Sequence, residues 1–401
     1  MRIVSIYRYF WPDNAPYGRI LKILLSRFYE IGHECTVLTG FPAYNYSRDE
    51  DVKSSELVDH ISVKRFKTDY FHSRAIDFFI FFLKSFVFLI QNKNKYDLII
   101  INSFPPVFMG FFSNVISKLT HIPYIYHIQD VHPECLKLSN KINHGILYKL
   151  LQKIDLFNCM NAIRCVTLSS DMKNELIFRG YNGDNIHIIN NPSQTVRVPG
   201  DDVALPVKFP VGKFTVLFAG NLGKFQSLEI FVEVAKILNN NSDIVFVFMG
   251  DGTAKNDLVD QAGDQLGKNI IFFPYQKAEV AGKSMEASTL GLVSLNPGLS
   301  RVAFPSKVPT LLSHGCPVLV LVDPNSELAR IVSEKGLGFV LNQRSPQVIA
   351  NEIECIWNGW KANRKIFNDN LSSISNKLFG LDSVVEKWEA VLNSIDKSLE
   401  G

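Results

Sequence analysis

Two successive series of short apolar runs, most of them followed by a helical pattern, constrain this chain more than any other feature. In the first series the runs fall near Ile3–Tyr7, Cys35–Leu38, Ser62–Phe66, Leu98–Ile101, Tyr124–His127, Ala162–Thr167 and His187–Ile189. They are short and rich in β-branched residues, and the stretches between most of them repeat apolar residues at helical spacing. Strands that alternate with helices in this way form a parallel sheet covered on both faces. The pattern breaks at Asn190-Asn191-Pro192, and after a Pro-, Gly- and Val-rich segment it resumes at Phe214. In the second series strands are expected near 214–218, 244–248, 269–273, 291–295, 317–322 and 337–341, with helices near 227–238, 253–266, 305–314, 326–334 and 346–357. The expectation is an α/β chain of two Rossmann-like, doubly wound domains, 1–191 and 192–380, with a last helix at about 381–398 packing back on the first. A length of 401 residues, 46% of them hydrophobic, also favours two cores over one. Ligands of open α/β sheets bind beyond the carboxyl ends of the strands, so two such domains facing each other would build one cleft from their loops.

The opening Met1-Arg2-Ile3-Val4-Ser5-Ile6-Tyr7 has no cationic lead or cleavage site and reads as a first strand, so a cytoplasmic protein is expected. The six cysteines are scattered, with no CxxC pair and no Cys/His cluster, so neither disulfides nor a metal site is expected. A net charge of +3 gives no reason to expect nucleic acid, but it is unevenly spread. Residues 1–190 hold 22 Lys and Arg against 17 Asp and Glu, and residues 191–401 hold 20 against 22. About half of the 30 Phe residues also precede residue 113. Basic and aromatic together suggest an anionic membrane surface or an anionic lipid. The most apolar stretch, Ala75–Ile90, contains Asp77 and Lys84 and falls short of the roughly 20 residues that span a bilayer. It is either a helix packed on both sides or an interfacial helix. In the second case Phe79, Phe82, Phe86 and, further on, Phe104 would meet the membrane or acceptor.

Residues with chemistry follow the strands. Tyr9 to Arg19 feeds an amphipathic helix, with Gly18 where a diphosphate could approach closely and Arg19 beside it. The segment is not GxGxxG, and no acidic residue stands at ribose-reading distance after the second strand, so a dinucleotide loses support. After Tyr124-Ile125-Tyr126 come His127, Gln129, Asp130, His132 and Glu134, five polar or ionisable residues in eight positions. Asp130 is the candidate for handling an acceptor proton, with Glu134 beside it, and the alternative is helix capping by Asp130 or His132. In the second domain the first strand runs into Gly220-Asn221-Leu222-Gly223-Lys224-Phe225-Gln226. Its glycines admit a ligand to the backbone, and Lys224 offers a mobile charge for a diphosphate, unless it is simply solvated. Gly250, Pro274 and Tyr275 are positions where a nucleobase could stack or bond the backbone. Pro305-Ser306-Lys307-Val308 opens a helix whose amides at Ser306, Lys307 and Val308 would make an anion site without a metal.

Several of these segments are familiar as a set. Ala219-Gly220-Asn221-Leu222-Gly223 with Gln226 and Leu228-Glu229, the Gly250-Asp251-Gly252 turn, Pro305-Ser306-Lys307 with Gly315-Cys316-Pro317-Val318, and Gln129-Asp130-Val131-His132-Pro133-Glu134 resemble family 4 glycosyltransferases. Gly40-Phe41-Pro42-Ala43-Tyr44 and Ser103-Phe104-Pro105-Pro106 are similar to the branch containing O-antigen and capsule N-acetyl-L-fucosaminyltransferases of the WbuB kind. The resemblance implies a GT-B fold and a UDP-sugar donor, of an N-acetylated sugar such as FucNAc or another HexNAc, held mainly by the C-terminal domain. It implies metal-independent transfer with retention, onto an undecaprenyl-diphosphate-linked glycan at the inner face of the cytoplasmic membrane. By the same resemblance Lys224 would meet the leaving diphosphate, Gln226 stands where many relatives carry a second basic residue, and Asp130 would lie near the acceptor. The two Glu residues that most of the family places eight apart correspond here to Val302 and Thr310. Thr310 can bond a ribose hydroxyl, but Val302 cannot bond a sugar; Glu327 either substitutes or stabilises its own helix. Two other readings share the fold, a UDP-GlcNAc 2-epimerase-like enzyme and a non-catalytic nucleotide-sugar-binding subunit. The Phe-rich segments argue against the first, and the presence of both Asp130 and Lys224 against the second.

Overall fold

The structure, a computed structural model, describes residues 1–13, 15–43, 53–68, 74–139, 142–143, 145–193, 203–363 and 370–400. It divides into two compact units, Met1–Asn190 with Val384–Gly401, and Asn191–Ser383.

The first unit is built on an eight-stranded sheet: β1 (Arg2–Ile6), β2 (Glu34–Gly40), β3 (Ser55–Val58), β4 (Ile61–Phe66), β5 (Leu98–Asn102), β6 (Tyr124–Ile128), β7 (Arg164–Thr167) and β8 (Ile186–Ile188). The order across the sheet is β3-β4-β2-β1-β5-β6-β7-β8, parallel throughout except that β3 runs antiparallel to β4. β5 and β6 are buried along their whole length, as strands covered by helices on both faces must be. The sequence pattern has no counterpart of β3, because its four residues include only two apolar ones and it sits at the sheet edge. The helices are α1 (Pro16–Glu30), α2 (Arg74–Gln91), α3 (Phe108–Thr120), α4 (Glu134–Leu138), α5 (Ile146–Asn161) and α6 (Ser170–Phe178).

In the second unit β9 (Phe214–Ala219), β10 (Ile244–Met249), β11 (Ile270–Phe273), β12 (Leu290–Ser294), β13 (Val318–Leu321) and β14 (Gly338–Val340) form an all-parallel sheet of order β11-β10-β9-β12-β13-β14. Its helices are α7 (Leu228–Ile237), α8 (Lys255–Ala262), α9 (Ala278–Glu286), α10 (Lys307–Ser313), α11 (Glu327–Lys335), α12 (Pro346–Asn363) and α13 (Leu371–Phe379). Helix α14 (Leu381–Glu400) brings Trp388 into the core of the first unit, edge-on to Phe28 at 5.8 Å and to His127 at 5.1 Å.

Helix α2 has one buried face and one exposed apolar face, so it is not packed on both sides. Phe81, Phe82, Ser85 and Leu89 are buried, and Phe82 packs on Phe112 at 4.7 Å. Ile76, Phe79, Leu83, Val87 and Ile90, spaced by three or four residues, are exposed on another face. Phe82, at 8% exposure, is therefore a core residue and not available to a membrane, and Phe86 leans on Phe112 at 6.0 Å; Phe79 at 68% and Phe104 at 45% face solvent. No helix of the described residues is long and apolar enough to cross a membrane.

Candidate functional site

In a doubly wound sheet the strand order reverses at a switch point, and the loops that leave the two strands there open a crevice. In the second unit this point lies between β9 and β12, where loops 220–227 and 295–306 begin. Side chains clamp these loops together. Ser227 Oγ donates to Asn296 Oδ1 at 2.6 Å, Asn296 Nδ2 donates to the Lys224 carbonyl at 3.2 Å, and Arg344 donates to Ser227 Oγ at 3.3 Å and to the Leu295 carbonyl at 2.6 Å. Glycines then allow β9 and β10 to leave the sheet side by side. A Cβ on Gly250, which has φ +143°, would stand 1.9 Å from the Gly220 carbonyl oxygen, so no other residue fits.

Lys307 lies within this crevice. Its Nζ sits 3.5 Å from the centre of the Phe218 ring and 3.4 Å from Gln226 Oε1, and it would stand 3.7 Å from a Cβ on Gly220. Among the described residues no carboxylate pairs with it. Burial pushes its pKa down to about 7, so near neutrality the amine is poised to take up a proton when an anion arrives. Lys224 differs: its side chain is 65% exposed and lies 3.7 Å from Asp257. Of the amides expected at the start of α10, that of Val308 already donates to the Pro305 carbonyl at 3.1 Å. The Val308 side chain is buried, Ser306 is exposed and Thr310 is half-buried. Val302 is fully buried. Asn221, Pro274 and Tyr275 are exposed, Tyr275 at 67%. Ser326 caps α11 at the Ala329 amide, which leaves Glu327 as the first residue of that helix.

In the first unit the reversal lies between β1 and β5, next to β6. Ser103 Oγ, just past β5, accepts the amides of Gln129 at 3.1 Å and Asp130 at 3.3 Å and so holds the loop that leaves β6. Asp130 is half-buried, and among the described residues no donor or cation holds its carboxyl; burial raises its pKa to about 6. Behind it His127 is held by Tyr17 Oη at 3.1 Å and Gln129 Nε2 at 2.8 Å. Burial drives its pKa to about 3, so the ring is neutral. If the amide of Gln129 donates to Nε2, the ring proton lies on Nδ1 and is donated to Tyr17.

Two expected residues serve the fold. Glu134 accepts from Tyr148 Oη at 3.1 Å and Gln152 Nε2 at 2.6 Å and pairs with Arg179, which also reaches Asp155 at 2.8 Å. This buried group of charges ties α4, α5 and α6 together, and the Glu134 carboxylate is fully engaged in it. At Gly18 it is the Tyr9 carbonyl that approaches closely: a Cβ there would stand 2.5 Å from its oxygen, so the glycine seats α1 against the loop after β1. Arg19 is half-buried on the same helix. Sequence reasoning gave no site role to Tyr17, Ser103, Arg344 or Trp388. Among the described residues no group of three or more His, Cys, Asp or Glu side chains is arranged to hold a metal ion.

Residues 213–358 match the family model described as Glycosyl transferases group 1. Over 341 residues the chain is 24% identical to WcaI of Escherichia coli (strain K12), named for a glycosyl transferase of colanic acid biosynthesis, covering 80% of this chain and 83% of that protein. Among solved structures, Anabaena HepE in complex with UDP-glucose has a TM-score of 0.68 at 16% identity, covering 98% of this chain and 100% of that one. The Neisseria meningitidis UDP-GlcNAc 2-epimerase bound to UDP-GlcNAc has a TM-score of 0.59 at 11% identity, covering 99% and 100%. Both units thus have the Rossmann-like fold of GT-B proteins, a fold shared by transferases and epimerases. The sequence matches separate the two: residues 213–358 are a glycosyltransferase group 1 domain, and the chain is a glycosyltransferase.

Proposed function

We propose that this glycosyltransferase moves a sugar, such as FucNAc or another N-acetylated hexose derivative, from a UDP-sugar to an undecaprenyl-diphosphate-linked glycan. It would act in O-antigen, capsule or exopolysaccharide assembly at the inner face of the cytoplasmic membrane. The names of WcaI and of HepE with UDP-glucose support the pathway class and the nucleotide. The observation that carries the reading is Lys307, a half-buried amine with no carboxylate partner among the described residues, facing the glycine-lined exit of β9. Breaking a sugar–phosphate bond develops negative charge on the diphosphate, and a preorganised cation in a desolvated site stabilises it most effectively. Lys307 supplies that charge without a metal, and Lys224 is the mobile second cation. Asp130, with its pKa raised toward neutrality, accepts the proton of the attacking hydroxyl, and transfer retains the configuration at the anomeric carbon.

Melting temperatures measured with UDP, GDP, CDP and ADP and their common sugars test the donor assignment, because a ligand that binds only the folded state raises the midpoint. Stabilisation confined to the uridine species is the expected result. Selective stabilisation by another base overturns the UDP assignment, and no stabilisation by any nucleotide overturns the donor site.

A further inference from the structure

The first unit carries a broad apolar surface that its own fold leaves uncovered. Helix α3 packs between α2 and α5. Its contact with α5 is close, since a Cβ on Gly110 would stand 2.6 Å from Asn158 Nδ2, and the outer sides of the two helices therefore merge into one face. On α3 the exposed residues include Phe108 (66%), Phe111 and Leu119. On α5 they include Leu147, Leu150 and Met160, the last at 65%. The exposed stripe of α2 continues the same series, so three neighbouring helices show large apolar residues where surface helices ordinarily show polar ones.

The charges set among them are of one sign. Lys118, Lys149 and Lys153 are exposed on α3 and α5, and the Lys118 ammonium lies over the Phe157 ring at 4.8 Å, its stem laid along apolar surface. The acidic residues of the three helices are Asp77, half-buried, and Asp155, which is buried against Arg179. A second copy of this chain would bring the same lysines against themselves, and the core of a protein interface is depleted in lysine. Anionic headgroups over an acyl boundary match both the charge and the apolar area.

We infer that the outer face of α2, α3 and α5, with Phe108, Leu150 and Met160 inserted and Lys118, Lys149 and Lys153 at headgroup level, is a docking surface for an anionic phospholipid bilayer. For its purpose the inference rests on the lipid-linked acceptor proposed above, but it is measured with neither donor nor acceptor. The full chain is sedimented with phosphatidylcholine vesicles with and without phosphatidylglycerol. Wild type is expected to pellet with the anionic vesicles and far less with the neutral ones. The variant Phe108→Ser/Leu150→Ser/Met160→Ser should lose about tenfold or more of that binding. The variant Lys118→Glu/Lys149→Glu/Lys153→Glu should lose its preference for phosphatidylglycerol. All six positions are exposed, and an unchanged melting temperature with an unchanged shift on adding UDP shows that each variant is folded. Wild type left in the supernatant, or variants that pellet like wild type, overturns the inference. So does a wild-type dimer that the variants convert to monomer while vesicle binding is absent. Failure on vesicles with the UDP shift intact leaves the donor assignment standing, whereas vesicle binding without a UDP shift does the reverse.

Discussion

Replacing Lys307 by Met removes one charge and little volume, and its effect on nucleotide affinity should depend on pH in a way that identifies the residue's role. In the free protein the amine has a pKa near 7, lowered by burial with no carboxylate partner among the described residues. A diphosphate bound beside it would raise that pKa, and by linkage the same factor appears as extra affinity of the charged site. A hydrogen bond between charged groups contributes about 1.5–3 kcal/mol, equivalent to about tenfold to a hundredfold in Kd. Titration calorimetry with UDP should therefore find wild type stronger than Lys307→Met by that factor at about pH 6, where the free site is mostly charged. The ratio should fall toward one as the pH rises through the pKa of the complex. UDP's own ionisation cancels in the ratio. Stability should move the other way: a partly buried amine with a lowered pKa costs folding free energy while it is charged, most of all below about pH 7, and that cost fades as the pH rises toward its unfolded pKa. Met should therefore melt no lower than wild type in the absence of ligand. A ratio of Kd values that stays constant from pH 6 to 9, or equals one throughout, would refute the placement of the diphosphate at Lys307.

Three further outcomes follow from single contacts. Asp130→Asn should lower kcat by about 10²–10⁴-fold, and in wild type kcat/KM should decline below about pH 6, where the carboxyl takes up its proton; a pH profile that keeps this limb in the variant rejects the assignment. Arg179→Met leaves Glu134 and Asp155 buried without their cation, at a cost of about 3–5 kcal/mol, so thermal unfolding should show a loss of several degrees. Gly250→Ala forces a methyl onto the Gly220 carbonyl at a backbone angle reserved for glycine, and UDP binding should fall together with stability; normal values of both would contradict the close approach of β9 and β10.

The two-sheet architecture was legible because strands buried on both faces, such as β5 and β10, leave unbroken apolar runs in the sequence. The edge strand β3 was not, since an exposed four-residue strand leaves no such run. The two faces of α2 could not be separated by periodicity, because both are apolar and only packing distinguishes Phe82 from Phe79. Within the sites, the loop after β6 stood out by its density of polar groups. Which of its carboxylates is left without a donor among the described residues and which is engaged by Arg179 depends on the residue that ends α6, more than 40 residues downstream of Glu134, and sequence order carries no sign of it. The surroundings of Lys307 are equally hidden: Phe218 and Gln226 come from the other side of the switch point, and it is their contact that separates this lysine from the solvated Lys224.

The most direct test of the whole account is to follow labelled sugar from a panel of UDP-N-acetylhexosamines incubated with the full chain and a polyprenyl-diphosphate-linked acceptor. The account predicts that label passes into the lipid-extractable fraction with release of UDP, and that Asp130→Asn and Lys307→Met each slow this passage. Label that remains in the nucleotide sugar, or that appears as an epimer of the donor with no acceptor present, would contradict it.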